Sequence, residues 1–449
     1  MPKQLNADSA LSPWMESIVS APQILVGLSG GLDSVVLLAL LCEHIDPQRI
    51  CALHINHGLS PNADLWQALA AEHCDQIGVL FHAEKVEVRS SGEGIEAAAR
   101  HARYAVFERL LEPEGLLFLA HHADDQIETV LYRLLRGSGP KGLSGMPNRR
   151  SIGAGTLIRP LLPWRKSELQ RCAQQRNLQW IEDESNADNS FDRNYLRNKV
   201  IPNIALKWPD YAQSLQRSAQ LGSDAEELSK ALAGEDILGL DPRVERAGWS
   251  ISIESLQSVS LLRQRNILRH WSGFNNLPMP GPKIIDEILE SVISARRDAE
   301  PKVVWQSQRW ARFQGRLYML REQAFQAHSE LSLQWDMQSP LVLAAGGLLC
   351  TEETMGRGLS AEISSVQIRY RQGGERCKPV GRAHSNSLKK LLQAYGLQPW
   401  WRDRIPLLYV QDKLVAVGDL WVCEGWSAGA GEKGLEIDWQ VDSISQIIT

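Results

Sequence analysis

No two of the seven cysteines form a Cys-x-x-Cys pair. Cys42, Cys51, Cys74, Cys172, Cys350, Cys377 and Cys423 are scattered, which argues against a zinc ribbon, an iron–sulfur cluster or a disulfide framework. A reducing cytoplasm fits that usage. No apolar run reaches membrane-spanning length, and the longest candidate is broken by Ser29, Asp33 and Ser34. Residues 1–22 lack the basic start and apolar middle of a signal peptide. The glycines near residue 30 are not followed by the lysine of the common nucleotide P-loop, and being adjacent they do not match the dinucleotide fingerprint.

What remains is an ordinary globular composition. The 449 residues are 43% hydrophobic and 22% charged, long enough for two or three domains with large cores. The net charge of −5 is unevenly spread. The first 130 residues are acidic, whereas basic residues dominate from Arg133 to Arg217 and again from Arg369 to Arg404. Two separate basic patches suit an RNA or another phosphate-rich partner, although solvated charged faces produce the same pattern.

The chain is organised around Ile24-Leu25-Val26-Gly27-Leu28-Ser29-Gly30-Gly31-Leu32-Asp33-Ser34 and the apolar run after it. An apolar strand, a tight glycine turn and a helix start are expected there. Gly30 and Gly31 let backbone N–H groups converge, Ser29 and Ser34 add hydroxyls, and the helix start adds unpaired donors. A helix dipole contributes only about 0.3–1 kcal/mol, so the convergent donors must supply most of any affinity for phosphate. A plain strand-to-helix turn has the same glycine spacing. The complete Ser-Gly-Gly-Leu-Asp-Ser string resembles the pyrophosphatase-type loop of ATP-dependent adenylating enzymes.

Strands are expected at 24–28, 50–55, 80–88 and 116–120, with helices at 35–45, 64–77 and 95–111 between them. That alternation predicts an α/β parallel sheet with helices on both faces, and ligands at the C-terminal strand ends. His54-Ile55-Asn56-His57-Gly58 and His121-His122-Ala123-Asp124-Asp125 would then border the Ser29 turn. His54 and His57 suit metal ligation or plain hydrogen-bonded scaffolding. Asp125 and Glu128 share a helical face and suit either a magnesium site or helix capping. Arg100 and Arg103 share another face, as a phosphate grip or as surface arginines paired along the helix, for instance with Glu96. Residues 136–146 read as a mobile basic loop able to cover a site. Arg193 and Arg197 lie four apart on a later helix. Residues 212–300 read as helix-rich, residues 310–319 as a hairpin turning at Gln314-Gly315, and residues 366–426 as a small α+β module whose arginines, lysines and tryptophans suit phosphate contacts and base stacking.

In order along the chain stand Ser29–Ser34, His54–Leu59, Arg100-x-x-Arg103-Tyr104, His122-Ala123-Asp124-Asp125-x-x-Glu128-Thr129, Arg136–Met146 and Asp183-x-Ser185-Asn186-x-Asp188, the last followed by Arg193-Asn194-x-x-Arg197. This set resembles the tRNA(Ile)-lysidine synthetase family, and residues 366–426 resemble the C-terminal domain of its longer members. The match leaves out roughly 220–360. The resemblance implies a catalytic domain over 1–215, a mostly helical middle domain over 216–325, and a C-terminal region over 326–449. It implies that the enzyme adenylates the wobble cytidine of a minor isoleucine tRNA with CAU anticodon, and that free lysine then displaces AMP. It further implies ATP held by Ser29, Gly30, Gly31, Leu32, Asp33 and Ser34, and magnesium on Asp125 and Glu128. Catalytic roles are implied for Asp33, Asp125 and Glu128 and for the arginine pairs Arg100/Arg103 and Arg193/Arg197. A homodimer is compatible with this reading. A sulfur-transferring relative and a non-catalytic tRNA binder are the alternatives. The missing cysteine pairs argue against the first, and the Ser29 loop with its acidic neighbours against the second.

Overall fold

A computed structural model describes residues 5–88, 95–184, 188–246, 248–296, 299–322, 332–343 and 347–441. Ser185 and Asn186 lie outside them. The chain divides into two compact units, Met1–Glu227 and Leu228–Thr449. No helix among the described residues is long and apolar enough to cross a membrane.

Two short helices, α1 (Ala7–Leu11) and α2 (Met15–Ser20), precede the first strand. The alternating segment then gives β1 (Ile24–Gly27), α3 (Leu32–Cys42), β2 (Ile50–Asn56), α4 (Ala63–Ile77), β3 (Leu80–Lys85), α5 (Ile95–Leu110), β4 (Leu116–Phe118) and α6 (Ala123–Leu135). A one-turn helix α7 (Pro140–Leu143), the hairpin β5 (Arg149–Ile152) and β6 (Gly155–Ile158), and α8 (Lys166–Gln175) follow. The unit ends with α9 (Asp192–Tyr195), a π-turn over Leu196–Val200, α10 (Ile201–Lys207) and the start of α11 (Tyr211–Leu238).

The sheet runs β3-β2-β1-β4-β6-β5, all parallel except the edge strand β5. The β5–β6 hairpin is an addition to the four expected strands. The sheet grows from β1 toward β3, then the chain returns to the other side of β1 as β4. The C-terminal ends of β1 and β4 therefore flank the point where the winding reverses, the crevice position at which open α/β sheets bind ligands.

Helix α3 is apolar all round because it is buried all round. Val36, Leu37, Leu38, Leu40 and Leu41 have no exposed surface. Each such side chain contributes about 1.5–3 kcal/mol of burial. That packing anchors the turn at the N-terminus of α3. The helix begins at Leu32, earlier than the apolar run suggests, because Gly31 in extended conformation is its N-cap. Leu32, Asp33 and Ser34 thus form its first turn.

In the second unit α12 (Ile253–Ser258), α13 (Leu261–Phe274) and α14 (Pro282–Glu287) pack on a five-stranded antiparallel sheet. The middle stretch is helical as expected, with this sheet in addition. The expected hairpin pairs Phe313 with Arg316, and Gln314 and Gly315 turn with φ of 46° and 76°. Beyond it, two antiparallel sheets of five and four strands and a helix over Leu388–Tyr395 share one core. Trp401 is buried in that core, and Trp400 packs edge-on against Tyr318 with ring centres 4.9 Å apart. These tryptophans are therefore packing residues rather than the RNA-stacking surfaces suggested by their setting. Arg371 pairs with Asp403 at 2.9 Å and Lys378 with Glu424 at 2.6 Å, while Arg376, Arg382, Lys389 and Lys390 are exposed.

Candidate active site

The turn after β1 is held by its own hydroxyls. Ser34 Oγ donates to Gly31 O at 2.9 Å and lies 3.1 Å from Ser29 Oγ, while the Gly31 amide donates to Ser29 Oγ at 3.3 Å. Gly30 has φ of 84°, a left-handed conformation that costs a side-chain-bearing residue. A Cβ there would also come within 2.8 Å of Ile181 Cδ1. The Ile181 amide donates to Gly30 O at 2.9 Å, so the segment after α8 lies over the turn. No periodicity or motif marks Ile181 for this place.

The loop after β4 enters α6 through an unusual cap. His122, buried, accepts from the amides of Asp124 and Asp125 at Nδ1, at 3.2 and 3.4 Å. Asp125 Oδ2 accepts from the His122 amide in return at 3.0 Å. The capping box expected of Asp124 or Asp125 with Glu128 is thus built by His122 and Asp125. With Nδ1 used as acceptor, Nε2 faces Asp33 Oδ2 at 3.5 Å and Asp125 Oδ2 at 3.6 Å. Burial pulls the imidazole pKa down, but the hydrogen bond to Asp33 and the charges of Asp125, Asp33 and Asp124 lift it above the ordinary histidine value.

Glu128 is 3% exposed and its two oxygens take the Arg197 fork, Nε at 2.6 Å and Nη2 at 2.9 Å. The same Nη2 lies 3.4 Å from Asp125 Oδ1. Burial raises the Glu128 carboxyl, and Arg197 offsets only part of that rise. Asp124, whose Oδ2 lies 3.7 Å from His122 Nδ1, is tied to α8. It accepts from Arg165 at 2.6 Å and from the Lys166 amide at 2.8 Å, joining α6 to α8. Burial pushes its carboxyl up, but these bonds leave its pKa lowered overall.

The structure therefore brings Asp33, Asp125, Glu128 and Arg197 together around His122, at the edges of β1 and β4. The other arginines stand apart from that group. Arg103 donates to His57 Nε2 at 3.2 Å, and burial, followed by the charges of Arg103 and His54, lowers His57 to about 4. His54 Nδ1 is 2.9 Å from Leu28 O. Both histidines read as scaffolding. Arg100 lies against Tyr104, with Nη2 3.4 Å from its hydroxyl. The Glu96 side chain is outside the described residues. Arg193 is half-buried on α9, and its charge acts on Arg133. The segment expected to be a mobile cover is fastened: Arg133 donates to Gly142 O and Gly145 O at 3.1 and 2.7 Å, and Gln126 to Met146 O at 2.9 Å. In this unit burial raises Cys42 to about 11 and Cys74 to about 12, so neither supplies a thiolate.

A glycine turn with convergent donors, facing two carboxylates across a switch-point crevice, is equipped to hold a nucleotide triphosphate. Comparison with known proteins agrees. Residues 4–204 match the PP-loop domain model, 251–318 the TilS substrate binding domain and 366–439 the TilS substrate C-terminal domain. The tRNA(Ile)-lysidine synthase of Coxiella burnetii is 37% identical over 440 residues, covering 96% of this chain and 95% of its own. That of Serratia proteamaculans is 38% identical over 422 residues, covering 93% and 95%.

The chain belongs to the tRNA(Ile)-lysidine synthase family.

Membership accounts for the PP-loop and its use of ATP. It also explains why both substrate-domain models fall in the second unit.

Proposed function

We propose that this enzyme joins free lysine to carbon-2 of the wobble cytidine in the minor isoleucine tRNA with CAU anticodon. In the first step the cytidine O2 attacks the α-phosphorus of ATP, and the bond to the β-phosphate breaks to release pyrophosphate. In the second the lysine amine attacks C2, loses a proton, and the C2–O2 bond breaks to release AMP. A carbonyl oxygen is a poor leaving group and AMP a good one, so the first step makes the second accessible.

The observation that carries this reading is the convergence of the Ser29–Ser34 turn with Asp33, Asp125, Glu128 and Arg197 in one crevice. We assign the turn amides and the Ser29 and Ser34 hydroxyls to the ATP phosphates. Preorganised donors of this kind stabilise charge developing in the transition state. Arg197 holds Glu128 in place and offsets part of the rise that burial imposes on its carboxyl. Asp125 stands beside the turn, where the ammonium of lysine can be held and oriented, and the buried Glu128 acts through Arg197. Arg100 and Arg103, with Arg193, are assigned to the tRNA side of the reaction.

The donor set fits magnesium at Asp33 and Asp125 better than at Glu128. Asp33 Oδ1 is buried without a hydrogen-bond partner, whereas both Glu128 oxygens are committed to Arg197. No cluster of three ligating side chains arises among the described residues, so substrate phosphates would complete the coordination, as is usual for magnesium. When bound, the ion would neutralise phosphate charge. The basic module over 366–426 is read as a tRNA contact, the chain as acting in the cytoplasm, and a homodimer as its assembly.

The deciding measurement incubates the protein with labelled lysine, ATP and the CAU-anticodon tRNA. Label should enter the tRNA, with one AMP and one pyrophosphate formed per lysine. Absence of label from an ATP-binding protein would refute the assignment.

A further inference from the structure

A group of guanidinium groups gathers around Tyr104 of α5, beside the loop after β4. Arg159, directly after β6, is 2% exposed. Its donors reach Pro147 O at 2.7 Å, His121 Nδ1 at 3.3 Å and the Tyr104 hydroxyl at 3.5 Å, all neutral acceptors. Arg100 and Arg150 approach the same tyrosine, with guanidinium carbons 4.8 and 5.0 Å from its ring centre. Among the described residues no carboxylate pairs with Arg100, Arg150 or Arg159. The positive charges also bear on the neighbouring side chains. Burial first, then the charges of Arg159, Arg100 and Arg103, hold His121 well below the ordinary histidine pKa. Burial, then Arg100 and Arg193, lowers Arg133.

A buried charge without a counter-ion costs several kcal/mol. A fold keeps one where a ligand supplies the missing charge. We propose that Arg100, Arg150 and Arg159, set around Tyr104, form a subsite for a backbone phosphate of the RNA substrate, next to the nucleotide being modified. This rests on the tRNA reading above.

Three considerations favour RNA over ATP and lysine. First, Arg150 and Arg159 flank β6, two strands or roughly 10 Å along the sheet from β1, whose turn is assigned to the ATP phosphates. Second, lysine would have to bring its own ammonium groups into this positive field. Third, Arg150 is on the edge strand, beside the exposed Arg149. An edge open to solvent admits a polymer. Arginine is suited to the role because its planar fork grips phosphate oxygens in pairs.

The test uses the full-length protein carrying Arg150→Gln or Arg150→Lys. Affinity for the CAU-anticodon tRNA transcript is measured across a salt series, alongside KM for ATP and for lysine. Arg150→Gln should weaken tRNA binding about 5- to 20-fold and make the salt slope shallower by about 0.7–1. Arg150→Lys should restore the slope without restoring full affinity, since lysine keeps the charge but not the fork. Both KM values should hold, and the urea midpoint should confirm that each variant is folded. Unchanged tRNA affinity and slope in folded Arg150→Gln would overturn the subsite. So would a change confined to KM for lysine or for ATP. If wild-type protein incorporates no lysine yet Arg150→Gln still loses tRNA affinity, the reaction assignment falls and the phosphate subsite stands.

Discussion

The pairing of Glu128 with Arg197 makes a quantitative prediction about stability that is separable from activity. Arg197→Met strands a carboxylate whose side chain is 5% exposed. Leaving one charge of a fully buried pair unpaired costs about 3–5 kcal/mol. The Arg197 side chain is 34% exposed, so solvent screens part of the lost attraction and roughly 2–3 kcal/mol is expected. Glu128→Gln should cost less, because it removes a buried charge and leaves a half-exposed arginine. The double variant should recover most of the Arg197→Met loss, since replacing both members of a buried pair is often nearly neutral. A coupling of about 2 kcal/mol follows, measured as a double-mutant cycle by urea unfolding of the N-terminal unit. The pH dependence has a definite sign. Burial raises Glu128, and removing Arg197 removes the largest opposing influence. A raised carboxyl favours the fold below its unfolded pKa and loses that advantage as pH rises through the folded value. The Arg197→Met deficit should therefore shrink as pH falls from about 7.5 to about 5. Lysine incorporation should be lost in all three variants at every pH. Simple additivity, with coupling below about 0.5 kcal/mol, would refute the claim that Arg197 and Glu128 stabilise the fold as a pair.

Three further outcomes are expected. Asp125→Ala should abolish adenylation, read as tRNA-dependent pyrophosphate release from ATP, while tRNA affinity stays near wild type; equal loss of both would remove Asp125 from the reaction. Asp124→Asn should destabilise the N-terminal unit at neutral pH by about 1 kcal/mol, because a half-exposed pair is worth little more. Its pKa is lowered in the fold, so the stabilisation is present above the unfolded value near 3.8 and lost below it, and the two proteins should converge in thermal stability as pH falls through that range. Gly30→Ala places a β-carbon at positive φ against Ile181, so KM for ATP should rise, with lysine KM as the internal control.

How much of this was legible in the sequence depends on the range over which each feature is determined. The strands β1–β4 and their helices follow from short apolar runs alternating with longer helical segments, a local signal strongest where both faces of the parallel sheet are buried, as in β1, β2 and β4. The short hairpin β5–β6 carries no such signal. Its strands are four residues each, and Arg149-Arg150 at its start reads as loop. The turn at Ser29–Ser34 is legible because its bonds are all within six residues of one another. The carboxylates were legible as types but not as partners. Spacing alone left Asp125 and Glu128 open between metal binding and capping. The answer came from two residues elsewhere: His122 takes over the cap, and Arg197, 69 positions after Glu128, takes both Glu128 oxygens.

The tryptophans and the arginines show the same rule with opposite outcomes. Trp400 and Trp401 stand among basic residues, and adjacency in sequence suggested a shared RNA-facing role. The structure turns their rings inward, against Tyr318 and Trp439, because an exposed pair of indoles would forgo a large apolar burial. Arg159 is the reverse case. In Ile158-Arg159-Pro160-Leu161-Leu162 it looks like a lone charge in a core segment, and core packing alone gives no reason for a guanidinium at 2% exposure. Its reason becomes visible only when Arg100 from α5 and Arg150 from β5 are seen on the same tyrosine. Desolvation opposes the charge there and no carboxylate among the described residues offsets it. A charge kept against that cost is where an anion from outside the protein should be sought.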